Sequence, residues 1–332
     1  MRPYLNHWVE NLFDLRKIRY LDICPTWKCN AKCPTCNAWK RATNQLSEKQ
    51  ASNIINEFKH LQRVVVEGGE PFLWKQLDYF VANLLESNKK VIVSIITNGF
   101  LTSKILKFAK TMMPYKERMR WSVSLNGIGE IHDASRGVKN VYERSFNTGK
   151  SLKELGYITT FSFVGLKPNI QDYPKVLELA KGLNMDVSVC YYTHRSKYDN
   201  LTWQPADKED YEAILENRRT RYNLFDRWMY EYFLYHANRF KPMECWAGRS
   251  MAHINPDGII RPCHMDESME IGKVTDEEVY FNENIEDTLK LIPSACQYKD
   301  GMLCNDCYIT WTTRRSMPKV FLWKLFHLRT KK

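Results

Sequence analysis

The sequence predicts an α/β fold: a parallel sheet assembled from βα repeats, followed by a small cysteine-rich α+β unit. Three observations lead there. Six short apolar runs, at 18–23, 64–66, 91–96, 121–125, 159–164 and 187–192, read as strands ending in Gly, Asn, Pro or polar loops. Stretches with helical spacing fit between them, at about 47–60, 75–88, 102–112, 141–155 and 171–183. Beyond about residue 200 the alternation stops, and cysteines crowd between Cys245 and Cys307.

Each element has its own signal. Leu5, Trp8, Val9, Leu12 and Phe13 share one helical face, so residues 4–15 read as a short amphipathic helix. The first strand runs into a Cys/Pro loop, the second into Gly68-Gly69, the third into Asn98-Gly99 and the fourth into Asn126-Gly127. The mostly uninterrupted apolar character of these strands suits a sheet covered on both faces. Residues 206–239 read as two helices rich in Tyr, Arg and Glu. A hairpin follows over 253–260, where Asp257-Gly258 supplies the turn between apolar runs.

With 332 residues, the chain fits about two domains, or one large α/β domain with an appendage. Its 44% hydrophobic and 26% charged residues rule out bulk disorder. No stretch approaches the roughly 20 apolar residues of a membrane span, and the start does not read as a signal peptide, so a cytoplasmic location is expected. In that compartment the ten cysteines read as metal ligands or reactive thiols rather than disulfides. The net charge of +11 is uneven, since the last 32 residues hold seven Lys/Arg against one acid. That balance favours an anionic partner: a phosphorylated substrate, a lipid headgroup, nucleic acid or an acidic redox protein. The tail at 319–332 is apolar on one side and basic on the other, which suits peripheral membrane contact or docking on the chain's own surface.

Cys29, Cys33 and Cys36 lie in the loop after the first strand, in a Cys-x3-Cys-x2-Cys spacing. Three thiolates can hold one face of an iron–sulfur cluster and leave one iron open for another molecule. A structural zinc knuckle, the alternative, wants four ligands.

The segment Cys29-Asn30-Ala31-Lys32-Cys33-Pro34-Thr35-Cys36 resembles the cluster loop of the radical S-adenosylmethionine (SAM) superfamily. Further matches follow in order: Gly68-Gly69-Glu70-Pro71, Thr97-Asn98-Gly99, the Ser122–Gly127 stretch, and His132-Asp133-x2-Arg136-Gly137. The resemblance covers roughly residues 18–200 and implies a partial (β/α)6 barrel with a SAM-binding 4Fe-4S cluster on Cys29, Cys33 and Cys36. It implies that Gly68, Gly69 and Glu70 hold the methionine amino group, and that Thr97, Ser124 and Arg136 meet its carboxylate. Reductive cleavage of SAM would then give a 5′-deoxyadenosyl radical that takes hydrogen from a substrate carbon. Two positions depart from the family pattern. Thr35 stands where an aromatic is usual and Asn126 where an acid is usual, so adenine contacts stay unassigned.

Cys245, Cys263, Cys304 and Cys307 resemble the twitch domain, the shortened SPASM extension of these enzymes, and imply one auxiliary 4Fe-4S cluster; a zinc ribbon is the alternative. The expected layout is a helical extension at 1–16, the partial barrel at 17–200, a helical segment at 201–240, the twitch unit at 241–315 and the basic tail at 316–332. Cys24, Cys190 and Cys296 remain. A free cysteine usually acts as a small buried hydrophobe, but Cys190 and Cys296 are candidate hydrogen-atom donors to a substrate radical.

The expected activity is dehydrogenation or epimerisation of a sugar- or peptide-type substrate, with electrons from a flavodoxin- or ferredoxin-type reductant. Only about 17 residues precede the first strand, too few for a peptide-binding domain, which argues against ribosomal-peptide maturation without excluding it. The competing class is a non-enzymatic zinc protein that binds nucleic acid through its basic ends; the ordered motifs make nucleic acid the weaker partner.

Overall fold

The computed structural model describes residues 18–41, 44–191, 202–204, 206, 210, 247–263, 268–285 and 287. The helix expected at 4–15, most of 206–239, the tail, and Cys245, Cys296, Cys304 and Cys307 lie outside the described residues.

Among the described residues, ten strands form one sheet: β1 (Tyr20–Ile23), β2 (Arg63–Val66), β3 (Ile92–Thr97), β4 (Met119–Ser124), β5 (Ile158–Gly165), β6 (Asp186–Tyr191), β7 (Met251–Ile254), β8 (Ile259–Arg261), β9 (Gly272–Val274) and β10 (Val279–Phe281). Six α-helices accompany them among the described residues: α1 (Glu48–Glu57), α2 (Leu77–Ser87), α3 (Thr102–Thr111), α4 (Glu130–Arg136), α5 (Tyr142–Glu154) and α6 (Tyr173–Gly182). The strand order is β10-β9-β8-β7-β1-β2-β3-β4-β5-β6. Strands β1 to β6 pair in parallel, in sequence order, as βα repeats require.

The core follows from the period-two alternation of strands. Leu21, Ile23, Val64, Val66, Val93, Ile95, Trp121, Val123, Phe161 and Phe163 belong to one buried cluster that includes the apolar sides of the helices. Trp121 anchors it, with ring centroids 6.1 Å from Phe72, 5.9 Å from Phe108 and 5.8 Å from Tyr157. The alternate positions form the inner face. There Tyr20, Val65 and Met251 make a small apolar layer with Ile96 and Cys263. Asp22, Ser94, Ser122, Ser124, Thr160, Ser162 and His253 share the alternation of that face, so hydroxyls predominate among its polar groups.

The hairpin expected at 253–260 is β7–β8, with Gly258 at φ 79° in its turn. β7 pairs in parallel with β1, Tyr20 to Met251 through Ile23 to Ile254, and β8 to β10 continue from it as the antiparallel meander of the small C-terminal unit. Helix α1 covers this meander. Its capping box, Ser47 with Gln50, fixes the start of the helix, and Gln50 also donates to the Val274 carbonyl at 2.9 Å. Among the described residues, no helix is long and apolar enough to cross a membrane.

Candidate active site

The cysteine loop leaves β1 and lies against the ends of β2 and β3 and the C-terminus of α4. Its backbone passes so close to Gly69 that a Cβ there would sit 2.2 Å from the Lys28 carbonyl oxygen and 2.6 Å from that of Trp27. At Gly68 a Cβ would meet the Thr26 carbonyl at 2.8 Å and Cys24 Sγ at 3.0 Å. The sequence suggests that these glycines admit a ligand; in the structure, the space beside both α carbons is taken by loop backbone. Two hydrogen bonds seal the contact, Gly69 N–H to the Thr26 carbonyl at 2.9 Å and Glu70 N–H to that of Lys28 at 2.8 Å.

Every one of the three loop sulfurs receives an N–H. Ala31 donates to Cys29 Sγ at 3.4 Å, Ala38 to Cys36 Sγ at 3.3 Å, and Arg136 Nη1 to Cys33 Sγ at 3.5 Å. Burial, reinforced by Cys33, Glu70 and Cys36, pushes the Cys29 thiol up to about 12, although the Ala31 N–H works against the shift. A thiolate there therefore needs a cation, which an iron cluster supplies. Arg136 Nε is buried without a hydrogen-bond partner, so the guanidinium keeps donor capacity for an anionic group beside the cysteines. These residues fit a cluster chelated by an outside molecule with a carboxylate.

Glu70 is fully buried, and that burial pushes its carboxyl up to about 7, against the pull of its hydrogen bonds and of Arg136. It accepts from the Thr97 hydroxyl at 2.8 Å and from the N–H groups of Asn98 at 2.8 Å and Phe72 at 3.2 Å. Thr97, read from the sequence as a carboxylate ligand, gives its proton to Glu70 and accepts from Gly99 N–H at 3.1 Å. Ser124 is half-buried at the end of β4.

The segment that carries Arg136 is organised by residues to which the sequence gave no such role. His132 Nδ1 accepts from Asn126 N–H at 3.0 Å, and its Nε2 lies 3.2 Å from Ser145 Oγ, which donates to the Asn98 carbonyl at 2.7 Å. Asp133 accepts from Val141 N–H at 3.0 Å and Tyr142 N–H at 2.9 Å, capping α5. Asn126 accepts from Val164 N–H at 3.0 Å and joins β4 to β5, so the amide there has a structural role. Asn98 donates to Asn30 Oδ1 at 2.6 Å and ties β3 to the cysteine loop. Asn98, Asn126, His132 and Asp133 lay inside recognised motifs without these roles; Ser145 lay outside them, and each acts through a partner on another element.

Of the remaining candidates, Cys24 is buried beside Trp27 and Ala38. Cys190 sits near the end of β6, in register with Val164. Cys263 follows β8 and packs against the Tyr20–Val65–Met251 layer, whereas its expected partners Cys245, Cys304 and Cys307 fall outside the described residues.

A parallel βα sheet with three cysteines in the loop after its first strand defines a cluster-binding α/β domain. Residues 23–180 match the model of the Radical SAM superfamily, so this stretch of the chain is a Radical SAM domain. It is 27% identical over 174 residues to a GTP 3′,8-cyclase of Aliarcobacter butzleri, covering 50% of this chain and 53% of that enzyme; the match thus spans about half of that relative's length. It is 24% identical over 260 residues to a PqqA peptide cyclase of Bradyrhizobium diazoefficiens, covering 74% of this chain and 66% of the cyclase. The fold is similar to that of Streptococcus suis SuiB bound to its precursor peptide SuiA, with a TM-score of 0.61, 18% identity and coverage of 90% of this chain and 70% of that one.

Proposed function

We propose that this radical SAM enzyme takes a hydrogen atom from a carbon of a peptide substrate, leading to its oxidation, its epimerisation or a new bond within it. The observation that carries the reading is Arg136 set against Cys33, with a buried donor to spare beside three N–H-supported sulfurs. Cys29, Cys33 and Cys36 would hold the cluster, and Arg136 would pair with the SAM carboxylate. When bound, that cluster and SAM supply an electron and a hydrogen-abstracting radical. Glu70, held by Thr97 and Asn98, keeps the ends of β2 and β3 in place beneath the loop. Ser122 and Ser124, half-buried on the inner face of β4, would offer hydroxyls to peptide amides.

A peptide is preferred over a sugar because the relatives include a peptide cyclase and the similar structures include one bound to a precursor peptide. The net charge of +11 suits an acidic peptide and an acidic flavodoxin- or ferredoxin-type reductant in the cytoplasm. Cys245, Cys263, Cys304 and Cys307 would hold an auxiliary 4Fe-4S cluster. In an epimerisation, Cys190 or Cys296 would return hydrogen to the opposite face. The basic tail at 319–332 would make peripheral membrane contact or dock on the chain's own surface.

The test is anaerobic reconstitution with iron and sulfide, then dithionite and SAM, with 5′-deoxyadenosine read by mass spectrometry. Wild type should form it and Cys33→Ala should not. Cys304→Ala should still form it but lose the peptide product. Deuterium passing from a labelled candidate peptide into 5′-deoxyadenosine would identify the substrate. A colourless wild-type protein that yields no 5′-deoxyadenosine would overturn the reading.

A further inference from the structure

The inner face carries a second set of metal-ligating groups, separate from the cysteines. Asp22 on β1 and His253 on β7 are register partners on adjacent parallel strands. Glu67 lies two residues beyond Val65, the partner of Asp22 on β2. One donor atom from each of the three comes within 4.8 Å of the other two. His253 Nδ1 is 3.3 Å from Asp22 Oδ2, with the two residues 1% and 3% exposed. Each of the three residues also keeps one buried atom outside any hydrogen bond (Asp22 Oδ1, Glu67 Oε1 and His253 Nε2), while holding other interactions.

We propose that Asp22, Glu67 and His253 form a divalent-cation site at the C-terminal end of the strands. The argument is one of charge and donor type. Two carboxylates this close repel each other where water is scarce. A dication held between the two carboxylates and the imidazole would offset that repulsion. Two oxygens and one imidazole nitrogen suit Mn2+, Fe2+ or Zn2+, in contrast to the all-sulfur set of the loop. Glu67 directly precedes the Gly68-Gly69-Glu70 segment, so the ion would share the strand ends with the cysteine loop and could hold a carbonyl or carboxylate of the substrate. The site does not depend on the substrate being a peptide.

Mn2+ is the probe, because it prefers oxygen and nitrogen to the cluster thiolates. The full-length, cluster-loaded protein is titrated with MnCl2, and free Mn2+ is followed by its six-line paramagnetic resonance signal. Wild type and the control Glu57→Gln, at an exposed helical position, should withdraw one equivalent per chain. Glu67→Gln and His253→Gln should bind it at least about tenfold more weakly. Because a buried substitution can disturb folding, pulsed resonance on Mn2+-loaded wild type gives a second readout: nitrogen modulation from one imidazole. Unchanged uptake in Glu67→Gln, no uptake by wild type, or bound Mn2+ without nitrogen coupling would each overturn the site.

Discussion

His132 shows how much of this site rests on a single buried ring. It accepts a backbone N–H from Asn126, and burial, together with the charge of Arg136, lowers its proton affinity to a pKa of about 3 from the ordinary 6.5. The folded protein therefore holds the ring neutral, while the unfolded chain protonates it below about 6.5. The stability this provides is present above that pH and is lost as pH falls toward the folded value, by at most roughly 1.4 kcal/mol per pH unit. Melting curves between pH 8 and 5 should show His132→Gln losing less stability with acid than wild type does; parallel curves would count against the assignment. Arg136 was legible as a site residue because it stands in a recognisable motif. The work of His132, Ser145 and Asn126 was not, since each acts through a partner on another element.

At the level of elements, the decisive contact is the cysteine loop against the end of β2. Gly69→Ala would force its new methyl into two loop carbonyls, 2.2 and 2.6 Å away, where only backbone can give way. The expected penalty is roughly 1–3 kcal/mol, with a lower iron content per chain after reconstitution. Gly182→Ala, where nothing lies within 4 Å, is the control and should leave iron content unchanged. An iron content in Gly69→Ala equal to wild type would show that the loop adapts. The six strands and five of the helices were visible in the sequence because their apolar periods are long or sharply ended. α4, of seven residues, and β9 and β10, of three each, were not, because so few residues establish no period.

On the scale of the whole molecule, β7 turns the six-stranded sheet into one of ten and gives β1 a parallel partner on both sides. The meander is also bound to α1, through Gln50 to Val274, Asn53 to Thr275 at 3.1 Å, and the edge of Phe58 against Phe281 at 6.2 Å. A chain ended at residue 246 would expose the β1 edge and the apolar side of α1. It should elute as aggregate in size-exclusion chromatography, with reduced ellipticity. A monodisperse, folded product of that length would show that the barrel closes its own edge.

The sequence by itself determined the order of strands and helices, the three-cysteine loop and Arg136, because local period and motif spacing are properties of neighbouring residues. Only the tertiary structure decided that Gly68 and Gly69 make room for loop backbone, that Thr97 serves Glu70, and that Asp22, Glu67 and His253 converge. Those outcomes depend on which strands lie side by side. The pairing of β7 with β1 is settled by packing between segments more than 200 residues apart, a separation that periodicity does not report.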